Sequence, residues 1–281
     1  MGASLSPAVV EQYRREGYYF PLGVLAPEEA AAARRQLEAA QAEGGPAGDR
    51  PFYKLHLYYP FLFDLVRHPA ILDAVESVIG PDILVWAAGL FIKEGPSAEV
   101  VHWHQDAIHF SLDPPEAVTA WVALTDSDPG NGGLRVIPGS HRGGVLRHRE
   151  VESRLGAGFR GSEVDVDEDQ AVDIVLRAGE MSLHHLKMVH GSPANRSTRR
   201  RVGYGIRYIP TSVRQGRDLP DSALLVRGQD RYGHFIPETP PVDPHDPDTR
   251  ARYEAAMARR QALIFSATEN IVGAGGRPYG D

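Results

Sequence analysis

The sequence predicts a mainly β protein: a double-stranded β-helix (jelly-roll or cupin-like) core with flanking α-helices. Helical periodicity is confined to about the first eighty residues and to one stretch near the C-terminus. The intervening segments are short, apolar and rich in β-branched and aromatic residues. Gly- and Pro-rich turns separate them, a texture expected of a sandwich or barrel.

The elements follow in order. Ser6 caps and Pro7 starts a helix that ends near Gly17. Pro27, Glu28 and Glu29 open an Ala-rich helix that fades at Gly44-Gly45-Pro46. A third runs from Pro69 to Ile79, with Ile71, Leu72, Val75, Val78 and Ile79 at helical spacing and Gly80-Pro81 as its stop. Strands are expected at Ile83–Lys93, Val100–Phe110, Val118–Leu124, Leu134–Ile137, Ala171–Leu176, Met181–Leu186 and Arg200–Ile209. Glu94-Gly95-Pro96, Pro138-Gly139 and the run from Asp128 to Gly133 supply turns. A Pro-rich stretch, Ile236 to Pro247, precedes a last helix to about Ile264. The expected organisation is a single domain over 1–281: helical support at 1–80, the jelly roll at 81–210, and a possible lid plus C-terminal helix at 211–281.

Composition narrows the chemistry. The 281 residues are 42% hydrophobic and 24% charged, with a formal net charge of −7. An acidic balance argues against nucleic acid or an anionic membrane as partner. There is no cysteine, so disulfides and thiolate metal sites are excluded and any metal must use His and carboxylate ligands. No apolar run suits a transmembrane helix, and the N-terminus lacks a secretory pattern, so a cytoplasmic location is expected. Oligomeric state stays open.

His104-Gln105-Asp106 opens the functional reading. On a strand, residues i and i+2 share a face, so both side chains can reach one metal ion. Chance supplies roughly one such pair in a chain of this composition, so the pair needs company. His190 supplies it, in a turn-rich segment that leads to a strand near Arg200. Two His and one carboxylate on one side of iron leave three positions for a bidentate 2-oxo acid and dioxygen.

The stretch from Val101 to Tyr208 resembles the phytanoyl-CoA dioxygenase family of iron(II)/2-oxoglutarate oxygenases. The carriers are Trp103-His104-Gln105-Asp106, Thr119-Ala120-Trp121-Val122-Ala123-Leu124 and the run from Asn131 to His141. Gly179-Glu180-Met181-Ser182-Leu183-His184-His185 and the segment from His190 to Arg201 complete them. The resemblance implies Fe(II) held by His104, Asp106 and His190, with 2-oxoglutarate and O2 as co-substrates. It implies Arg201 as the clamp on the distal carboxylate of 2-oxoglutarate, whose geometry a guanidinium fork matches. Ser192 would assist that carboxylate, Trp121 would wall the pocket, and Lys54 would match an upstream basic residue. Arg201 shares a strand face with Gly203 and Gly205, which would leave room for the co-substrate. Arg199 and Arg200 read as a solvated charge run.

His102, Lys93 and Arg207 are candidates for contact with a small-molecule substrate, an amino acid, organic acid or natural-product intermediate. Of the adjacent His184 and His185 only one can face inward, as a hydrogen-bonded structural residue. His141 and Asn131 read as structural residues of their turns. The implied reaction is hydroxylation of an unactivated C–H bond with release of succinate and CO2. In related halogenases the carboxylate position is Gly or Ala, so Asp106 predicts hydroxylation over halogenation. Desaturation, cyclisation or epimerisation at the same iron site is the alternative. A zinc-dependent barrel enzyme, which leaves Arg201 unexplained, and a non-catalytic binding protein are remoter ones.

Overall fold

The computed structural model describes residues 4–48, 53–151 and 161–273. Its helices are α1 (Pro7–Glu16), α2 (Pro27–Ala42), α3 (Pro60–Val66), α4 (Pro69–Ile79) and α5 (Pro247–Gly273). The first strands are β1 (Tyr18–Gly23), β2 (Ile83–Lys93), β3 (Val101–Gln105), β4 (Leu112–Asp113), β5 (Val118–Ala123), β6 (Arg135–Val136), β7 (Arg149–Val151) and β8 (Gly161–Glu163). They continue as β9 (Val172–Asp173), β10 (Glu180–His185), β11 (Val189–Ser192), β12 (Arg201–Pro210), β13 (Arg214–Gln215), β14 (Ser222–Arg227) and β15 (Ile236–Pro237).

A large sheet of order β1-β10-β5-β12-β2-β14-β15 and a small one of order β3-β11-β6-β9 form the core. Alternation along the central strands of the large sheet, β5 and β12, assigns each side chain to one of two buried faces. On β12, Val202, Tyr204, Ile206 and Tyr208 join the main core with Leu37, Leu62, Ile71 and Val75 from α2, α3 and α4. The intervening Arg201 and Arg207 line a cavity between the sheets. On β5, Val118, Ala120 and Val122 take the helix side, while Thr119 and Trp121 take the cavity side. The strands therefore read as continuous buried runs.

α1 follows the sequence expectation closely. Ser6 Oγ accepts from Val9 N, and Gly17 ends the helix at φ 81°, a backbone region where a side chain costs energy. One strand expectation differs. The strand expected over Val100–Phe110 stops at Gln105, because a 3-10 turn takes Asp106–Ile108. In the stretch 211–247, β14 pairs with β2 and so adds to the large sheet, and β13 pairs with β4.

Lys54, expected at the co-substrate, is instead buried behind the large sheet, paired with Glu238 and donating to Ser222 O at 2.7 Å. Its backbone is left-handed at φ 51°, with its N–H bonded to Ala88 O. This ion pair ties the loop before α3 to the chain beyond β14. Burial alone would raise the Glu238 carboxyl, but Lys54 and then His56 outweigh it and hold it at about 2.

Glu238→Gln is expected to cost about 3 kcal/mol at neutral pH, read by denaturant unfolding. Because the folded carboxyl titrates below its unfolded value of 4.5, its stabilisation is full above that pH and is lost as pH falls toward about 2. The gap between wild type and variant should close over that window. A gap that persists at pH 2 contradicts this role.

Candidate metal centre

β11 lies antiparallel beside β3 with His190 directly opposite His104, their ring centroids 4.3 Å apart. The 3-10 turn after β3 then swings Asp106 to the same spot, with Oδ1 3.6 Å from His104 Nε2. One donor atom from each of His104, Asp106 and His190 lies within 4.8 Å of the others. Gln105, fully buried between two of them, fixes the turn. Its amide donates to Gly144 O and Lys187 O and accepts from Leu146 N.

The imidazoles are held in the tautomer a metal requires. His104 Nδ1 contacts His102 O at 2.8 Å and His190 Nδ1 contacts Met188 O at 2.9 Å. A carbonyl only accepts, so each Nδ1 carries the proton and each Nε2 presents its lone pair. Burial, then the neighbouring His104, pushes the His190 pKa down to about 4, which keeps it neutral. Burial would raise Asp106, but Arg207 and then His104 and His190 hold it well below the usual carboxylate range. Arg207 Nε donates to Asp106 Oδ2 at 3.0 Å. Two imidazole nitrogens and one ionised carboxylate suit iron(II).

A second cluster occupies the other end of the cavity. Arg201 is 3% exposed and donates through Nη1 to Gly132 O at 2.5 Å, with Ser192 Oγ 3.5 Å away. Its Nε has no hydrogen-bond partner, although it is buried. Lys93, cross-strand from Arg201, donates to Ser192 O, Ser192 Oγ and Pro193 O. Burial, then Arg201, lowers the Lys93 pKa to about 7. Arg201 Cζ sits 5.4 Å from the Trp121 ring. Arg201, with an unbonded Nε on an aromatic wall and a second basic residue behind it, forms a receptor for a carboxylate.

The glycines beside Arg201 serve another purpose than the one expected. A Cβ on Gly203 would lie 1.9 Å from the Trp121 ring, and one on Gly205 would lie 2.7 Å from Phe91. The space they leave is filled by aromatic rings that wall the cavity.

His104, Asp106, His190, Arg201, Ser192, Trp121, His102 and Arg207 all line one cavity. His102 stands at its mouth, 39% exposed and 3.0 Å from Glu163. Arg207 lines the cavity while bonding Asp106, and Lys93, which is not among the lining residues, bonds Ser192 at the Arg201 end. His184 is buried in the cavity wall, but its Nδ1 makes no hydrogen bond. His141 Nε2 bonds Arg14 O, and Asn131 bonds Asp126 O and Asp128 N. Sequence reasoning missed Phe91, Phe110, His109 and, on α5, Arg260. The alternation of β2 could have found Phe91, whereas nothing local marks Arg260.

Comparison with known proteins agrees with this geometry. A profile of the phytanoyl-CoA dioxygenase (PhyH) family matches residues 13–203. The chain belongs to the phytanoyl-CoA dioxygenase family. The matched segment carries the three metal-centre residues and Arg201 and ends before Arg207 and α5. The probable alpha-ketoglutarate-dependent hypophosphite dioxygenase of Stutzerimonas stutzeri is 31% identical over 159 residues, 53% of this chain and 54% of that protein. The chain spans about half the length of the curated relatives it matches. Among solved structures, the apo form of the non-heme monooxygenase ThoJ is 40% identical, with a TM-score of 0.83. That match covers 93% of this chain and 99% of ThoJ. CytC3 with Fe(II) and alpha-ketoglutarate is 27% identical, covers 88% of this chain and 100% of its own, and has a TM-score of 0.64.

If this PhyH-family chain uses Lys93 to hold Ser192 and Arg201 ready for a carboxylate, Lys93→Met should raise the 2-oxoglutarate Kd about tenfold. Iron affinity should stay within about twofold. In wild type the affinity for the dianion should fall as pH rises through about 7, where Lys93 loses its proton, and the variant should lose that dependence. Calorimetric titration under anaerobic conditions reads both, and unchanged affinity in Lys93→Met contradicts the assignment.

Proposed function

We propose that this chain is an iron(II)- and 2-oxoglutarate-dependent dioxygenase that hydroxylates an unactivated C–H bond of a small molecule. The observation that carries the reading is His104, Asp106 and His190 converging within 4.8 Å, in a cavity that also holds Arg201. The solved relatives support it, one being called a non-heme monooxygenase and another containing Fe(II) and alpha-ketoglutarate.

Iron, 2-oxoglutarate and dioxygen together supply the oxidant that inserts oxygen into a C–H bond, with succinate and CO2 as co-products. The residues do the rest. His104 Nε2, His190 Nε2 and an Asp106 oxygen would hold the metal. Arg207 keeps Asp106 ionised and fixes its second oxygen. Arg201, with Ser192 and Lys93 beside it, receives the distal carboxylate of 2-oxoglutarate and so sets its orientation. Phe91, Phe110 and Trp121 exclude water from that space. A carboxylate at position 106 fills the ligand place that halogenases leave to chloride, so the expected product is an alcohol.

Release of labelled CO2 from 2-oxoglutarate labelled at C1 tests this. Wild type should release it only with iron(II) and dioxygen, and His190→Ala should lower the rate by at least about a thousandfold. Zinc should not replace iron. Release that survives in His190→Ala, or that zinc supports equally, contradicts the reading.

A further inference from the structure

The cavity holds a guanidinium that the reaction above does not use. Arg260, on α5, is 3% exposed and lines the same cavity as His104 and Asp106. Its Cζ lies 4.2 Å from the Trp86 ring centroid and 4.9 Å from that of Phe110. The two rings meet edge to face at 4.8 Å. Arg207 approaches Phe110 as well, its Cζ 5.2 Å from that ring, so two guanidiniums share one aromatic platform.

Their charges are differently matched. Arg207 is bonded to Asp106, and Arg201 stands at the co-substrate end. The acidic neighbour of Arg260 is Asp221, whose Oδ2 is 4.0 Å from Arg260 Nη1. That oxygen already accepts the Trp86 indole N–H at 2.6 Å, and Oδ1 accepts from Ser222 N. Arg260 Nε is buried and has no hydrogen-bond partner. A guanidinium has five N–H donors, and leaving even one of them, here Nε, dry and unbonded is costly. An anion entering the cavity would remove that cost. The cavity that Arg260 faces is lined by Phe91, Phe110, Val100 and Ile264 together with the polar Tyr53 and His109. A buried guanidinium with one unbonded N–H, set on the aromatic rings of Trp86 and Phe110, favours an amphiphilic acid over a sugar or a polyamine.

We infer that Arg260 is the substrate anchor, receiving the oxyanion end of an organic acid whose apolar body lies along Phe110 and Phe91 toward the metal centre. This rests on the reading of the cavity as that of an iron and 2-oxoglutarate enzyme. Arg260 lies beyond the family-matched residues 13–203, so this specificity is carried by the chain outside that segment. The oxyanion is a carboxylate or a phosphonate, which share the acceptor geometry a guanidinium fork fits.

The test titrates three probes of one skeleton, 3-phenylpropanoate, 3-phenylpropanamide and 2-phenylethylphosphonate, into anaerobic protein carrying iron(II) and 2-oxoglutarate. Trp86 lies against Arg260, so tryptophan fluorescence reads probe binding, and the visible absorption of the iron chelate is followed in parallel. Wild type should bind an acid at least about tenfold more tightly than the amide, and which acid prevails distinguishes carboxylate from phosphonate. Arg260→Gln should abolish the preference while its chelate absorption stays, and Arg260→Lys should restore part of it. Equal binding of acids and amide in wild type overturns the inference, as does wild-type acid affinity in Arg260→Gln. A missing chelate absorption in wild type counts against the enzyme reading instead, and the fluorescence titration then decides the acid preference by itself.

Discussion

The ion pair between Asp106 and Arg207 is the interaction on which the rest of the arrangement depends. A carboxylate 4% exposed would normally neutralise itself by taking up a proton, and a protonated Asp106 is a poor metal ligand. Arg207 prevents this from the middle of β12, so a residue of the large sheet sets the charge on a residue at the end of the small one. The same contact occupies Oδ2 and leaves Oδ1, on the His104 side, for a metal. Removing either partner would strand a buried charge, which is among the costlier changes a fold can suffer.

That pair also divides the cavity. On one side Arg201, Ser192 and Lys93 gather donors over Trp121. On the other, Arg260 and Arg207 flank Phe110. The metal centre lies where the two regions meet, with His190 opposite His104 across the small sheet. The large sheet can support both because its central strands β5 and β12 are buried twice, against helices on one face and against the cavity on the other. Gly203 and Gly205 let Trp121 and Phe91 press against β12, so the wall is aromatic where the backbone is bare.

Much of this was legible in the sequence, and the reason is local chemistry. α4 and β2 match their expected spans residue for residue, because Pro starts, Gly stops and uninterrupted apolar runs are short-range signals. His104 and Asp106 were legible through their spacing, and His190 and Arg201 through the resemblance of their segment. What was not legible depended on distant partners. Asp106 leaves the strand because buried Gln105 bonds Gly144, Leu146 and Lys187, none of them near it in sequence. Lys54 looked like a cavity residue, but it belongs to Glu238, 184 residues away. The partners of Lys93 and Arg207, Ser192 and Asp106, lie 99 and 101 residues away and are equally invisible to local reading. Arg260 carries no local mark, because a surface-like Arg on a polar helix becomes a cavity residue only once α5 has docked.

The most direct measurement is an anaerobic titration of the protein with iron(II) and 2-oxoglutarate, followed through the weak visible charge-transfer absorption of the chelate. The account predicts that absorption in wild type, its loss in His104→Ala, and its recovery in Arg201→Ala only at far higher 2-oxoglutarate. Iron that binds without the absorption, or an Arg201→Ala protein that saturates like wild type, would contradict it.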